Sequence, residues 1–483
     1  MAEPQQAPST DPHSLAVLRA RFGDDHRWWV LWTVMIGNMA SVMAATTINV
    51  AVPAISQAFG LGQQQAQWLA TAFMGPMTLS MLATPWLLER FGYRSAYLWL
   101  LALLGLGGVA GGLSNSIGLV LAMRMVEGLA AGVLQTIPAV IILRAFERHE
   151  QGRAMGYFGF GTVLAPAIGP SVGGLLVQWF GWRAIFFFVL PFCILSALMA
   201  RRYLPHAAPG GVPVNEDAPT PDAWSLALLS AALGALLVGM GRLHGSDTPS
   251  GLALLAMATA LALVFVARQR KVAAPLLRLD LFHSPVFSAG AVVSVAYGAM
   301  LFGSTYLLPV FMVAALHLPP ATVGAVLLPA GLALAFSIPL AGRLMTRFPL
   351  HLAVAFGLIG MAFSSLAMLA IGPETAIAWI VAAAVIGRIG LGFVIPSLSI
   401  GAMRGTPPAL LPFGSSSVGF LRQLGGAVGV GLVGILLESR LQAHGAGGTL
   451  RAYHEVFALM GGLALAAAWA ARRMNSASPP PPI

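Results

Sequence analysis

Four ionisable side chains stand inside apolar runs where charge is costly: Arg124, Glu127, Arg388 and Arg422. At the centre of a hydrocarbon layer an isolated charge costs roughly 2.5–3.5 kcal/mol on insertion scales, so such residues find partners or water and mark pathways. Arg124 and Glu127, in "RMVEG" (124–128), are three residues apart and share one helix face, and their simplest state is a salt bridge. Two chemistries fit that pair. The bridge neutralises two charges and does no more, or Glu127 exchanges a proton while Arg124 tunes its affinity. Arg388 and Arg422 also have two readings: they bind an anionic group, or they organise the carbonyls of their own glycine-rich helices. Asn38, Thr46, Asn49, Gln67, Gln135, Tyr297, Phe302, Tyr306 and Gln423 lie in the same runs and are candidates to line a path. Each of them has an ordinary alternative as a helix–helix hydrogen bonder or packing residue.

Other chemistry has no foothold. The chain contains no GxxxxGK[ST] phosphate loop, no HExxH and no CxxC pair, and no Ser/His/Asp or paired-carboxylate set converges. ATP drive, a bound metal, a cofactor and enzymatic catalysis are therefore not expected. The single cysteine, Cys193, reads as a small apolar residue of a helix.

The elements that must position these residues follow from composition. The chain is 58% hydrophobic and 9% charged over 483 residues, with mean hydropathy +0.82. No soluble protein of this size hides so much apolar surface. Fourteen apolar segments are each long enough to cross about 30 Å of hydrocarbon as a helix. They lie at 28–51, 65–88, 95–114, 118–142, 154–178, 184–200, 223–241, 251–268, 286–311, 321–345, 352–371, 376–400, 411–437 and 455–471. The first 27 residues lack the short apolar core of a cleavable signal, so the first span itself is expected to direct insertion.

Basic residues supply the orientation. With fourteen spans, 19 of the 26 Lys and Arg fall on the side that holds both termini, and four fall opposite. The positive-inside rule then places both termini in the cytoplasm. The net charge of +10 is accounted for by topology and anionic lipid, without nucleic acid.

The chain also repeats. "LLERFGYR" (87–94) follows the second span and "LMTRF" (344–348) the tenth; Arg124 lies in the fourth span and Arg388 in the twelfth; two glycine-rich segments hold corresponding places. Six spans thus recur as six, which implies two bundles related by an axis along the membrane normal, with substrate between them. The expected organisation is a cytoplasmic tail (1–27), a six-helix bundle (28–200), a linker with two extra spans (201–285), a second bundle (286–473) and a disordered tail (474–483).

Here the residues resemble a known family. "MAATTINVAVP" (43–53), "PWLLERFGYR" (85–94), "RMVEG" (124–128) and "GTVLAPAIGPSVGG" (161–174) are similar to four motifs of the major facilitator superfamily, within its fourteen-spanner branch of drug:proton antiporters. The resemblance covers essentially the whole chain. It implies an all-α major facilitator fold in the inner membrane and export of drug-like or amphipathic molecules by proton antiport and alternating access. Two alternatives stay open: an exporter of a specific metabolite with different or no proton coupling, and a membrane sensor or scaffold on the same fold that transports nothing. Small-molecule substrate, protons and lipid are the implied partners. It leaves open a periplasmic adaptor with an outer-membrane channel, and it is compatible with a monomer. Four positions depart from the pattern. Pro85 replaces a glycine, Glu89 replaces an Asp, Ala44 stands where the branch carries an Asp, and Glu127 replaces a Gln.

The resemblance also assigns roles to two motifs. Gly161, Ala165, Gly169 and Gly173 recur every four residues, a stripe that lets another helix approach closely. With Pro170 and Gly174 it is expected to form a gate against a helix of the other half. Glu89, Arg90, Gly92 and Arg94 form the motif between the second and third spans, expected to latch one conformation through charge pairing with a neighbouring helix end.

Overall fold

A chain this apolar satisfies its backbone within each segment, because hydrocarbon offers no partner for a free N–H or C=O. The computed structural model describes residues 15–475 except 24, 208–214, 216, 244–247 and 346, and within the helices it leaves aside a few side chains, among them Gln67, Pro166 and Pro170. Most of the expected tail at 474–483 thus lies outside the described residues. Those residues form helices and no strands. In chain order they are α1 (Leu15–Phe22), α2 (His26–Phe59), α3 (Gln63–Phe91), α4 (Tyr93–Leu113), α5 (Ile117–Ala145), α6 (Arg148–Phe180), α7 (Ala184–Phe188) and α8 (Leu190–Tyr203). Then come α9 (Ala223–Arg242), α10 (Thr248–Gln269), α11 (Pro285–Ala314), α12 (Pro320–Leu344), α13 (Leu350–Ala367), α14 (Ile377–Gly401), α15 (Leu411–His444) and α16 (Thr449–Ala471).

Against fourteen expected spans, twelve helices of the described residues are long and apolar enough to cross a membrane, α7 and α8 counting as one. The other two expected spans, 65–88 and 154–178, fall on α3 and α6, which are 29 and 33 residues long. Within the expected tail at 1–27, Leu15–Phe22 form α1, and α2 begins at His26.

The chain divides into two units. The first comprises Met1–Ala154, Gly161–Pro221 and Pro408–Ser416; the second comprises Met155–Phe160, Asp222–Pro407 and Ser417–Ile483. The extra helices α9 and α10 cluster with the second unit.

Within the first unit, glycines set the spacing. A Cβ on Gly128 or Gly132 of α5 would run into the backbone carbonyls of Phe73 and Met77 on α3. The Tyr97 hydroxyl of α4 lies 3.0 Å from the Thr33 carbonyl and 2.7 Å from Ser196 Oγ, joining α4, α2 and α8, and Gly37 leaves room for it. Ile48, Ile55, Leu69, Trp182 and Phe186 fill the apolar core at one end.

The second unit repeats the device. Gly357 of α13 and Gly390 of α14 each face the other's carbonyl, and Gly298 of α11 faces the carbonyl of Arg422 on α15. Leu307, Phe311, Tyr453 and Phe457 are core residues there, with the rings of Phe311 and Phe457 5.2 Å apart.

Polar side chains tie α9 to α10 at one end. Asp222 caps α9 by accepting from Ser225 N at 3.0 Å, and it pairs with Arg268 of α10 through both carboxylate oxygens. Gln269 donates to Ser225 Oγ at 2.7 Å and accepts from Leu276 N at 2.8 Å. The Arg268 guanidinium and the Ser225 hydroxyl hold the Asp222 carboxyl well below the usual carboxylate range.

Candidate functional site

Arg124 and Glu127 sit on consecutive turns of α5, buried to 2% exposure each, with Nη1 2.7 Å from Oε2. The pairing follows from the three-residue spacing. Three further contacts come from other helices. Arg124 Nη1 donates to the Ala44 carbonyl of α2 at 3.0 Å, and Nε donates to the Leu69 carbonyl of α3 at 3.3 Å. The guanidinium carbon lies 4.3 Å from the centroid of the Phe73 ring, in cation–π geometry. Arg124 Nη2 is buried and has no hydrogen-bond partner among the described residues. The carboxylate is housed by α4: an added Cβ would lie 3.0 Å from Glu127 Cγ at Gly107 and 3.3 Å from its Oε1 at Gly108. Sequence reading missed these two glycines, although "GLGG" (105–108) is visible as a run of small residues. Glu127 is the only acid among the buried described residues.

Arg388 and Arg422 are arranged differently. Arg388 stands mid-way along α14 and Arg422 in the first half of α15. Both are partly accessible, and neither has an acidic partner among the described residues. Arg388 Nη1 donates to Thr305 Oγ1 of α11 at 3.2 Å, and both guanidinium groups are within electrostatic reach of the buried Tyr297 phenol. Tyr297 donates to the Leu391 carbonyl of α14 at 3.4 Å. Neither arginine side chain hydrogen-bonds a carbonyl of its own helix among the described residues.

The glycine stripe of α6 is present, but its facing helix differs from the expected one. Added Cβ atoms would meet Met35 at Gly161, Thr46 and Thr47 at Gly169, Thr47 at Gly173 and Val50 at Gly174. All four facing residues belong to α2, in the same unit, not to a helix of the other half. Spacing reveals a face of small residues and carries no information on what covers it. The helix runs unbroken through Pro166 and Pro170, whose side chains lie outside the described residues.

The motif at 85–94 is not a loop. Glu89 and Arg90 belong to the last turn of α3, Arg94 to the first turn of α4, and Gly92 alone joins them with φ +73°. Only glycine takes that conformation without strain. Arg90 donates to the Ala218 carbonyl at 3.1 Å and Arg94 to the Arg201 carbonyl at the end of α8 at 2.9 Å; Asn215 N donates to the Glu89 carbonyl at 2.9 Å. The two arginines thus engage backbone carbonyls of the segment that leaves α8.

The remaining candidates scatter. Asn38 is buried and donates to Thr162 Oγ1 at 2.9 Å, which makes it an α2–α6 bridge. Gln135 lies 3.3 Å from Met77 Sδ, and Thr46 donates to the Val42 carbonyl of its own helix. Asn49 and Tyr306 are exposed; Gln423 is buried; the Phe302 ring packs over Gly426. The Gln67 side chain lies outside the described residues. No group of three or more potential metal ligands forms among the described residues.

Comparison with known proteins adds to this geometry. The family model described as Major Facilitator Superfamily matches residues 34–430. The methylenomycin A resistance protein of Streptomyces coelicolor is 27% identical over 405 residues, covering 83% of this chain and 84% of that protein. The multidrug resistance protein B homolog of Mycobacterium tuberculosis is 28% identical over 419 residues, covering 84% and 76%. Among solved structures, the proton:xylose symporter XylE bound to 6-bromo-6-deoxy-D-glucose superposes with TM-score 0.64 at 13% identity, covering 93% of this chain and 96% of that one. At that identity the likeness is one of fold.

Proposed function

Because the chain belongs to the Major Facilitator Superfamily, and so is a multi-pass membrane transporter of small molecules and not an enzyme, we propose that it exports drug-like or amphipathic compounds by proton antiport. The relatives named for antibiotic and multidrug resistance support the direction and the broad substrate class. In this reading all fourteen long helical segments span the inner membrane, both termini are cytoplasmic, and two six-helix bundles flank the α9–α10 pair.

The observation that carries the coupling is the sealed Arg124–Glu127 pair. The branch that the sequence resembles carries an acid where Ala44 stands. Here the Ala44 carbonyl is itself a ligand of Arg124, and the only buried acid among the described residues lies one turn along the arginine's own helix. A proton arriving on Glu127 would break its ion pair and free Arg124, which changes the charge balance at the centre of the bundle. That is what a coupling site has to do.

Inverted vesicles with an imposed pH gradient, given a panel of fluorescent amphipaths in the outer solution, test this reading. Accumulation should depend on the gradient and collapse with an uncoupler. Movement of the panel indifferent to the gradient would rule out proton coupling.

A further inference from the structure

We infer that Arg388 and Arg422 form a binding site for the anionic head of the substrate, so that the exported compounds are organic anions. This rests on the exporter reading above and narrows it.

The inference comes from an asymmetry in the charges buried along the helices. In the first unit the arginine has its carboxylate at 2.7 Å, and the pair is neutral and sealed. In the second unit two arginines occupy the interior of their helices with no acid beside them among the described residues. Guanidinium groups do not lose their charge, so they keep two uncompensated positive charges in a segment where charge is costly. Both remain partly accessible, so their donors are not used up by the fold. Arg388 makes one hydrogen bond, to Thr305, and has other donors free.

Three helices bring the groups together. Tyr297 of α11 reaches the Leu391 carbonyl of α14, three residues beyond Arg388. Gly298, next to Tyr297, lies directly against the Arg422 carbonyl of α15. Phe302, one turn further along α11 and packed over Gly426, supplies an aromatic wall beside the polar head. A planar fork of N–H donors matches a carboxylate, sulfonate or phosphate monoester, while the same doubly positive site repels cationic amphipaths. The physiological gradient agrees with this sign. An anion leaving an inside-negative cell and a proton entering it both move down the membrane potential.

One ring system with different heads tests the proposal. The full-length protein is reconstituted in phosphatidylcholine vesicles, and equilibrium binding is measured for 1-naphthoate, 1-naphthalenesulfonate and 1-naphthyl phosphate against neutral 1-naphthamide and cationic 1-naphthylmethylammonium. The wild type should bind at least one anion ten-fold or more tighter than the amide and the cation. Arg388→Gln and Arg422→Gln should each erase that preference, and the Lys variants should retain part of it. If a Gln variant fails to fold, the wild-type preference across the five heads still decides. Failure to bind any of the three anions, or a preference for the cation, overturns the site. Displacement of the bound anion by phosphatidylglycerol would assign the site to a lipid headgroup and overturn the substrate assignment. Efflux is measured in parallel. Anion binding without efflux sinks the exporter reading alone, and efflux of the amide or cation without anion binding sinks this inference alone.

Discussion

At the scale of single residues, the Arg124–Glu127 pair makes two separable forecasts. Glu127→Gln keeps the shape and the hydrogen bond but cannot carry a proton, so pH-driven efflux should vanish while substrate exchange survives in part. Ala44→Asp should then restore gradient dependence in the Glu127→Gln background. The backbone at 44 already lies within 3.0 Å of Arg124, and Nη2 of that arginine is a buried donor without a partner. Proteoliposome efflux normalised to folded protein reads both, and full proton-driven efflux by Glu127→Gln would move attention to Glu374, Glu438 and Glu455. Arg124→Ala strands the carboxylate and should cost on the order of 3–5 kcal/mol of stability. Arg124→Met with Glu127→Leu should cost less than the sum of the single changes, as thermal unfolding would record. The pair itself was legible in the sequence, because a charge in an apolar run announces itself and a spacing of three fixes the face. Its sealing was not. That depends on Gly107, Gly108, Phe73 and two carbonyls contributed by other helices, and nothing local encodes those contacts.

At the scale of elements, the glycine stripe of α6 was readable as a surface, but α2 as the helix facing it was not. Gly169→Leu should force α6 away from Thr46 and Thr47, lowering transport per folded molecule while leaving insertion intact. Wild-type transport by normally expressed protein would dismiss the close-packing requirement. The Asp222–Arg268 pair between α9 and α10 has a definite pH sense. The carboxyl ionises more readily in the fold than in the unfolded chain, so its contribution is complete above the ordinary carboxylate range and is lost only as pH falls below it. Asp222→Asn should therefore loosen the segment after α10 at neutral pH, read as faster limited proteolysis near Lys271, with little difference from wild type in strong acid.

For the whole molecule, composition alone excluded a soluble fold, and the apolar run lengths located the long helices to within several residues, because hydrocarbon admits little besides helices. Orientation rests on the 19-to-4 division of basic residues, which holds only if the spans alternate without a gap. Reporters fused after Pro205 and after Leu243 bracket α9 and should report opposite sides; the same side for both would remove one span and reverse everything downstream. Which compounds the protein moves was not legible from run lengths or composition. Arg388 and Arg422 stood out as charges, yet the absence of a carboxylate beside either one among the described residues emerges only when the helices are assembled.

The single glycine between α3 and α4 has a consequence for biosynthesis. With no slack between them, the two helices cannot be threaded one after the other through an insertion channel and docked later. In the proposed fourteen-span topology they would enter the bilayer as a ready-made hairpin. In the proposed topology Arg90 and Arg94 at its tip stay in the compartment where translation occurs, so this short turn would commit α3 and α4 to one orientation.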